Sequence, residues 1–114
     1  MDDCIFCKII KGEIPSKKVL ETENILAFHD IQPAAPVYIL VIPKRHISSC
    51  GELTLQDGAL LAELFEGINN AAKLAGIADS GYRVVTNKGK DGGQSVEHLH
   101  FHVLGGKAFG ASFG

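Results

Sequence analysis

The spacing of hydrophobic and polar residues changes several times along this chain, and each change marks a new element. Phe6, Ile9 and Ile10 recur at helical spacing between Cys4 and Gly12, which predicts one or two helical turns closed by the glycine. Pro15 ends that segment, because proline cannot continue a helix. Val19-Leu20-Glu21-Thr22 and Ile25-Leu26-Ala27-Phe28-His29 then flank Glu23-Asn24 and read as two short strands around a hairpin turn. Beyond the stiff connector Pro33-Ala34-Ala35-Pro36, the run Val37-Tyr38-Ile39-Leu40-Val41-Ile42 is continuously apolar, as expected of a central strand covered on both faces.

The period then lengthens. Leu60, Leu64, Ile68, Ala71, Ala72 and Ala75 recur every three or four residues, Leu61 and Phe65 widen the stripe, and Glu63, Glu66, Asn70 and Lys73 lie opposite. One long helix is predicted, opened by a capping box from Thr54 to Asp57 and closed near Gly76. Gly58 and Gly67 each weaken it by about 1 kcal/mol relative to alanine, so packing must hold it. Tyr82 to Asn87 forms a further strand.

The alternation is strictest in Glu97-His98-Leu99-His100-Phe101-His102-Val103-Leu104. In a strand, His98, His100 and His102 share one face, with Leu99, Phe101 and Val103 on the other. At a rise of roughly 3.3 Å per residue, alternate histidine stems stand about 6 to 7 Å apart, close enough for two rings to serve one phosphate or one metal ion. Three of the five histidines of the chain are in this stretch.

Composition narrows the partners. A chain of 114 residues fits one domain, expected to span 1–114. Eleven basic and thirteen acidic residues give a formal net charge of -2 with no block of like charge, which argues against a nucleic-acid groove built on phosphate neutralisation. Met1-Asp2-Asp3-Cys4 carries acid where a secretory signal would carry a basic residue, and the longest apolar run is too short for a bilayer. A cytosolic protein with no membrane partner is the expectation. Three cysteines in such a compartment read as thiols or metal ligands rather than disulfides.

Cys4-x-x-Cys7 has the spacing of half a zinc site or of a redox pair, and two small buried residues of no special role are the bland alternative. A redox pair normally follows a strand in a βαβ unit, which is not predicted here. His46, after Pro43-Lys44-Arg45, is the kind of lone histidine that is more often structural than ligating. A Cys-x-x-Cys awaiting partners raises its standing, and the histidine stretch can supply a fourth ligand. Asp30 reads as a turn or cap residue ahead of Pro33. Lys88-Gly89-Lys90-Asp91-Gly92-Gly93-Gln94-Ser95 is a glycine-rich loop whose backbone N–H groups could approach an anion, although it matches neither the phosphate loop nor the dinucleotide fingerprint.

Together these point to phosphorus chemistry. A neutral histidine can attack phosphorus and form a covalent intermediate, and a reference pKa near 6.5 leaves most imidazole neutral at pH 7. The histidine face, the Gly-Gly-Gln-Ser loop and Asn87 could supply the surrounding donors without a catalytic metal. Three histidines on one metal ion form the rival reading, weakened because consecutive alternate positions seldom converge on one ion.

Gly92 to Gly106, read as Gly-Gly-Gln-Ser-Val-Glu-His-Leu-His-Phe-His-Val-Leu-Gly-Gly, resembles the signature of the histidine triad (HIT) family. Ile5-Phe6-Cys7-Lys8-Ile9-Ile10, Glu13-Ile14-Pro15, Leu26 to Ile31 and Val41 to Ser48 fall in the family order, so the resemblance covers nearly the whole chain. Ser95 after Gln94, with no proline before His98, is similar to the Hint branch of nucleoside phosphoramidate hydrolases more than to dinucleoside polyphosphate hydrolases. The resemblance implies an α+β fold with a five-stranded antiparallel sheet, one long helix and a short N-terminal helix, the sheet doubled to ten strands across a homodimer.

It further implies that His100 is the nucleophile that becomes nucleotidylated, that His102 contacts the phosphate and that Ser95 assists the leaving amine. Asn87, Gly93 and Gln94 would surround the phosphate, Asp30 would bind the ribose hydroxyls in place of the bland reading, and Phe6, Ile10, Ile14 and Ile31 would form a slot for a purine of the AMP or GMP type. A structural zinc, as in many bacterial members, would take Cys4, Cys7, His46 and His98; His46 and His98 would then orient His100 and shuttle no proton. The Hint branch usually ends in a tail with a tryptophan, whereas this chain closes Ala108-Phe109-Gly110-Ala111-Ser112-Phe113-Gly114. Glu97 stands where the branch often has an aromatic residue. The alternatives to a phosphoramidate hydrolase are a nucleotide-binding regulatory protein with incidental hydrolysis and a dinucleoside polyphosphate hydrolase.

Overall fold

The computed structural model describes residues 3–30 and 35–112. Five strands, β1 (Lys18–Glu21), β2 (Ile25–His29), β3 (Val37–Pro43), β4 (Tyr82–Val85) and β5 (Phe101–Gly105), form one sheet in the order β1-β2-β3-β5-β4. Every neighbouring pair is antiparallel. A short helix α1 (Ile5–Ile10) and a long helix α2 (Gly58–Leu74) complete the expected α+β architecture. No helix among the described residues is long and apolar enough to cross a membrane.

Local chemistry explains the boundaries. Thr22 tightens the β1–β2 hairpin, its hydroxyl oxygen accepting the backbone N–H groups of Asn24 and Ile25. Both helices end on a glycine in the left-handed region, Gly12 at φ +80° and Gly76 at φ +78°. At each end the next N–H closes a six-residue ring, Glu13 onto the Lys8 carbonyl and Ile77 onto the Ala72 carbonyl, so carbonyls that the helix leaves open are satisfied. The Thr54–Asp57 capping box forms, but it caps a single 3₁₀ turn, Leu55–Asp57, and α2 itself begins at Gly58.

The sheet is buried on both faces at its centre. Ile25, Ala27, Ile39, Val41, Phe101 and Val103 pack beneath Leu64, Ile68, Ala71 and Ala72 of α2. Leu26, Phe28, Leu40 and Ile42 point the other way, onto Phe6 and Ile9 of α1. That two-sided cover is why β2 and β3 read as unbroken apolar runs rather than as alternating ones.

One expectation is corrected. The histidine stretch is not a strand from Glu97 onward, since β5 starts at Phe101 and both His98 and His100 precede it. Those two residues are held instead by individual bonds: the Leu99 N–H donates to the Ile47 carbonyl, and the Thr86 hydroxyl donates to the His100 carbonyl at 2.9 Å. The facing still alternates, with Leu99 in the core under α2 while His98 and His100 pack against Phe6 beneath α1.

Candidate active site and metal centre

His98 and His100 are both buried, and each has one ring nitrogen bonded to a backbone carbonyl. A carbonyl can only accept, so these bonds identify which nitrogen carries hydrogen in the neutral ring. His98 donates from Nε2 to the Pro43 carbonyl at 2.8 Å, which leaves its Nδ1 bare. His100 donates from Nδ1 to the His98 carbonyl at 2.7 Å, which leaves its Nε2 bare. Burial pushes the His98 imidazole below the ordinary histidine range and so favours its neutral form.

The bare Nδ1 of His98 lies 3.3 Å from Cys4 Sγ and 3.6 Å from Cys7 Sγ, and His46 Nδ1 lies 3.4 Å from Cys7 Sγ. All four ligand atoms fall within 4.8 Å of one another. A tetrahedral zinc with Zn–S near 2.3 Å and Zn–N near 2.1 Å separates neighbouring ligand atoms by about 3.4 to 3.8 Å. The spacing and the donor set, two thiols and two imidazoles, therefore fit a closed structural zinc site. The Pro43 carbonyl behind His98 is the outer partner that metal-ligating histidines usually have. Burial, followed by the neighbouring Cys4, pushes the Cys7 thiol up from its ordinary value, so Cys7 keeps its proton unless a cation is present.

On the other side of His98 opens a cleft of about 430 Å³ between α1 and the sheet. Its apolar lining includes Ile5, Phe6, Ile9, Ile14, Phe28 and Leu40, and its polar lining includes Asp30, Tyr38, Ser95, His100 and His102. Phe6 packs edge-on against the His100 ring at 5.2 Å, and the His100 and His102 rings stand 4.9 Å apart. Burial and the neighbouring His100 push His102 below the ordinary histidine range, whereas Asp30 opposes the shift. A buried His100 and a His102 whose neutral form is favoured therefore stand side by side in the lining of an apolar cleft.

Of the residues singled out for a nucleotide, the cleft brings together Phe6, Ile14, Asp30, Ser95, His100 and His102. Ile10 packs partly buried against the α1-side core, and Ile9 takes its place on the cleft wall. Ile31 lies outside the described residues. Asn87, Gly93 and Gln94 are not among the residues lining the cleft, and they belong to the glycine-rich loop or its approach. Asn87 donates to the Gly92 carbonyl at 2.7 Å, and Gln94 accepts the Gly89 N–H at 2.9 Å while donating to the carbonyls of Ser48 and Val96. The loop is thus tied down at its base, with Ser95 projecting from its end into the cleft. Ile9, Phe28, Tyr38 and Leu40 were not singled out from sequence. The signal for Tyr38 and Leu40 is the β3–β5 register, in which Leu40 stands opposite His102 and Tyr38 lies two residues along the same face.

A family model described as HIT domain matches residues 11–109. A HIT-like protein of Azospirillum brasilense is 48% identical over 107 residues, covering 93% of this chain and 88% of that protein. The protein HitA of Neisseria gonorrhoeae is 43% identical over 105 residues, 92% of this chain and 97% of its own length. Among solved structures, a HIT family hydrolase from Clostridium thermocellum superposes with a TM-score of 0.96 at 44% identity, covering 99% of this chain and 98% of that one. A histidine triad protein from Clostridium difficile gives a TM-score of 0.93 at 46% identity over 98% and 97% of the two chains.

Proposed function

Because the chain belongs to the HIT domain family, we propose that it is a nucleotidyl hydrolase or transferase of the Hint type, acting on purine nucleoside phosphoramidates through nucleotidyl-His100. One observation carries this reading: the His98 carbonyl holds the proton of His100 on Nδ1, so the lone pair of Nε2 is available in the cleft. A neutral imidazole with a fixed lone pair is a nucleophile that needs no separate base.

In the proposed reaction the purine enters the slot walled by Phe6, Ile9 and Ile14, and Asp30 accepts hydrogen bonds from the ribose hydroxyls. His100 Nε2 bonds to the α-phosphorus as the P–N bond to the leaving amine breaks, and the amine receives its proton from the Ser95 hydroxyl, which regains one from the water of the second step. Water then attacks the same phosphorus, the His100–P bond breaks, and a nucleoside monophosphate leaves with His100 restored. His102 donates to the phosphate oxygens on which charge accumulates. Zinc on Cys4, Cys7, His46 and His98 would cross-link α1 to the residues before β5 and take no part in proton transfer. The names of the structural neighbours, which include a hydrolase, agree with this class of activity. A homodimer with a ten-stranded sheet is part of the proposal, supported by β4, which lies at the end of the sheet order, and by Phe65, which is 42% exposed on α2.

The test is turnover of adenosine 5′-phosphoramidate beside a dinucleoside polyphosphate. AMP release from the phosphoramidate is expected, falling by about 10⁴-fold or more in His100→Ala while calorimetric AMP binding persists. Faster cleavage of the dinucleotide would assign the other hydrolase class, and AMP binding without turnover of either compound would make the protein a nucleotide-binding regulator.

A further inference from the structure

The Tyr38 hydroxyl lies 2.8 Å from His102 Nδ1, and the two rings meet edge-on with centroids 5.6 Å apart. The hydroxyl sits in the cleft wall, on the same face of β3 as Leu40, the residue paired with His102. The backbone beside it is also fixed, because the Asp30 N–H donates to the Tyr38 carbonyl at 3.1 Å. Nothing in the proposed reaction uses Tyr38.

A phenol and an imidazole can bond in two senses, and the sense decides which nitrogen of His102 carries its proton. A phenolic O–H is a strong donor and a weak acceptor, whereas the bare nitrogen of a neutral imidazole is a strong acceptor. Burial, and secondarily Asp30, push the Tyr38 phenol above its ordinary value, so it keeps its hydrogen. Burial likewise keeps His102 neutral, so its ring has one bare nitrogen to offer.

We propose that Tyr38 is a positioning residue for the reaction, its hydroxyl donating to Nδ1 of His102 and so confining that ring's only hydrogen to Nε2. The two histidines of the cleft then carry complementary tautomers. His100, bonded to a carbonyl, has hydrogen on Nδ1 and a lone pair on Nε2, and His102, bonded to a hydroxyl, has the reverse. The difference arises from what each Nδ1 meets, an acceptor in one case and a donor in the other. One ring is thereby fixed as nucleophile and its neighbour as donor, with no proton to be exchanged before the first step. The kinetic part of this inference rests on the phosphoramidate reading, whereas the tautomer itself does not.

Long-range ¹H–¹⁵N correlation spectra of the full chain read imidazole tautomers directly, with Tyr38→Phe as the variant because it keeps the ring. In the unsubstituted protein His102 is expected as the Nε2–H form; in Tyr38→Phe it becomes a mixture of both forms while His100 stays Nδ1–H, which serves as the control for intact folding. On the phosphoramidate, kcat of Tyr38→Phe is expected to drop about 10- to 100-fold with KM little changed. His102 found as the Nδ1–H form, or unaltered by the substitution, overturns the proposal. The expected spectra without turnover of any phosphoramidate would retain the tautomer assignment and refute the substrate reading alone.

Discussion

The His98 carbonyl accepts the Nδ1–H of His100 at 2.7 Å, while the imidazole of the same His98 turns its own Nδ1 to Cys4 at 3.3 Å and Cys7 at 3.6 Å. One residue thereby links the thiol cluster to the proposed nucleophile: its side chain belongs to the candidate metal site and its backbone fixes the tautomer of the His100 ring. Pro43 completes the link, since its carbonyl takes the remaining nitrogen of His98.

The first prediction concerns that link. Untagged protein is expected to contain about one zinc per chain by elemental analysis, and Cys4→Ser or Cys7→Ser to lose it together with several degrees of melting temperature. Unchanged metal content in either variant, or no stoichiometric metal at the outset, would remove zinc from the description. Replacing a ligand is expected to harm stability more than Ser95→Ala does, because Ser95 is exposed and is not one of the clustered ligands.

Two glycines of α2 separate intrinsic helix preference from packing. A Cβ at Gly67 would stand 2.2 Å from Cδ1 of Ile25, itself buried in the core, whereas nothing lies within 4 Å of a Cβ at Gly58. Both positions gain up to about 1 kcal/mol of helix propensity on change to alanine. At Gly67 an overpacking cost of about 1–3 kcal/mol opposes that gain. Urea unfolding is expected to show Gly58→Ala neutral to slightly stabilising and Gly67→Ala destabilising. A more stable Gly67→Ala protein would contradict the tight approach of α2 to β2.

Acid is expected to weaken the fold in two windows. His102 has a lowered value in the folded state because burial disfavours its cation. The native protein therefore binds fewer protons there than the unfolded chain does. This stability is complete above the unfolded value of about 6.5 and is lost as pH falls through the lowered value. Glu21 acts further down: Lys18 and then Lys44 hold its carboxyl at about 2, so its contribution is present above the usual value of 4.5 and is lost as pH falls toward about 2. Denaturant midpoints across pH are expected to flatten in the upper window for His102→Gln and in the lower one for Glu21→Gln. Identical pH slopes in the variants would disprove these assignments.

Elements held by repeating patterns were legible in the sequence. The alternation and apolar runs located β2, β3 and β4 to within a residue or two, and the three-and-four spacing located α2. Isolated bonds were not legible. His98, Leu99 and His100 look like strand residues, yet they are held by the carbonyls of Pro43, Ile47 and His98 respectively, which a periodic pattern does not reveal. The candidate metal ligands were legible because Cys-x-x-Cys demands partners, and residues 4, 7, 46 and 98 do converge. The cleft was half legible. Its histidine side announces itself, but the contribution of Tyr38 and Leu40 depends on which residue of β3 stands opposite which residue of β5.

The proposed reaction requires His100 as a covalent nucleophile, and intact mass after millisecond acid-free quenching of the reaction with adenosine 5′-phosphoramidate tests that most directly. An adduct of one adenylyl group per chain, acid-labile and mapped by peptide fragmentation to His100, is the expected result, absent in His100→Ala. Turnover at full rate with no adduct, or with the adduct on His102 or Ser95, would contradict it.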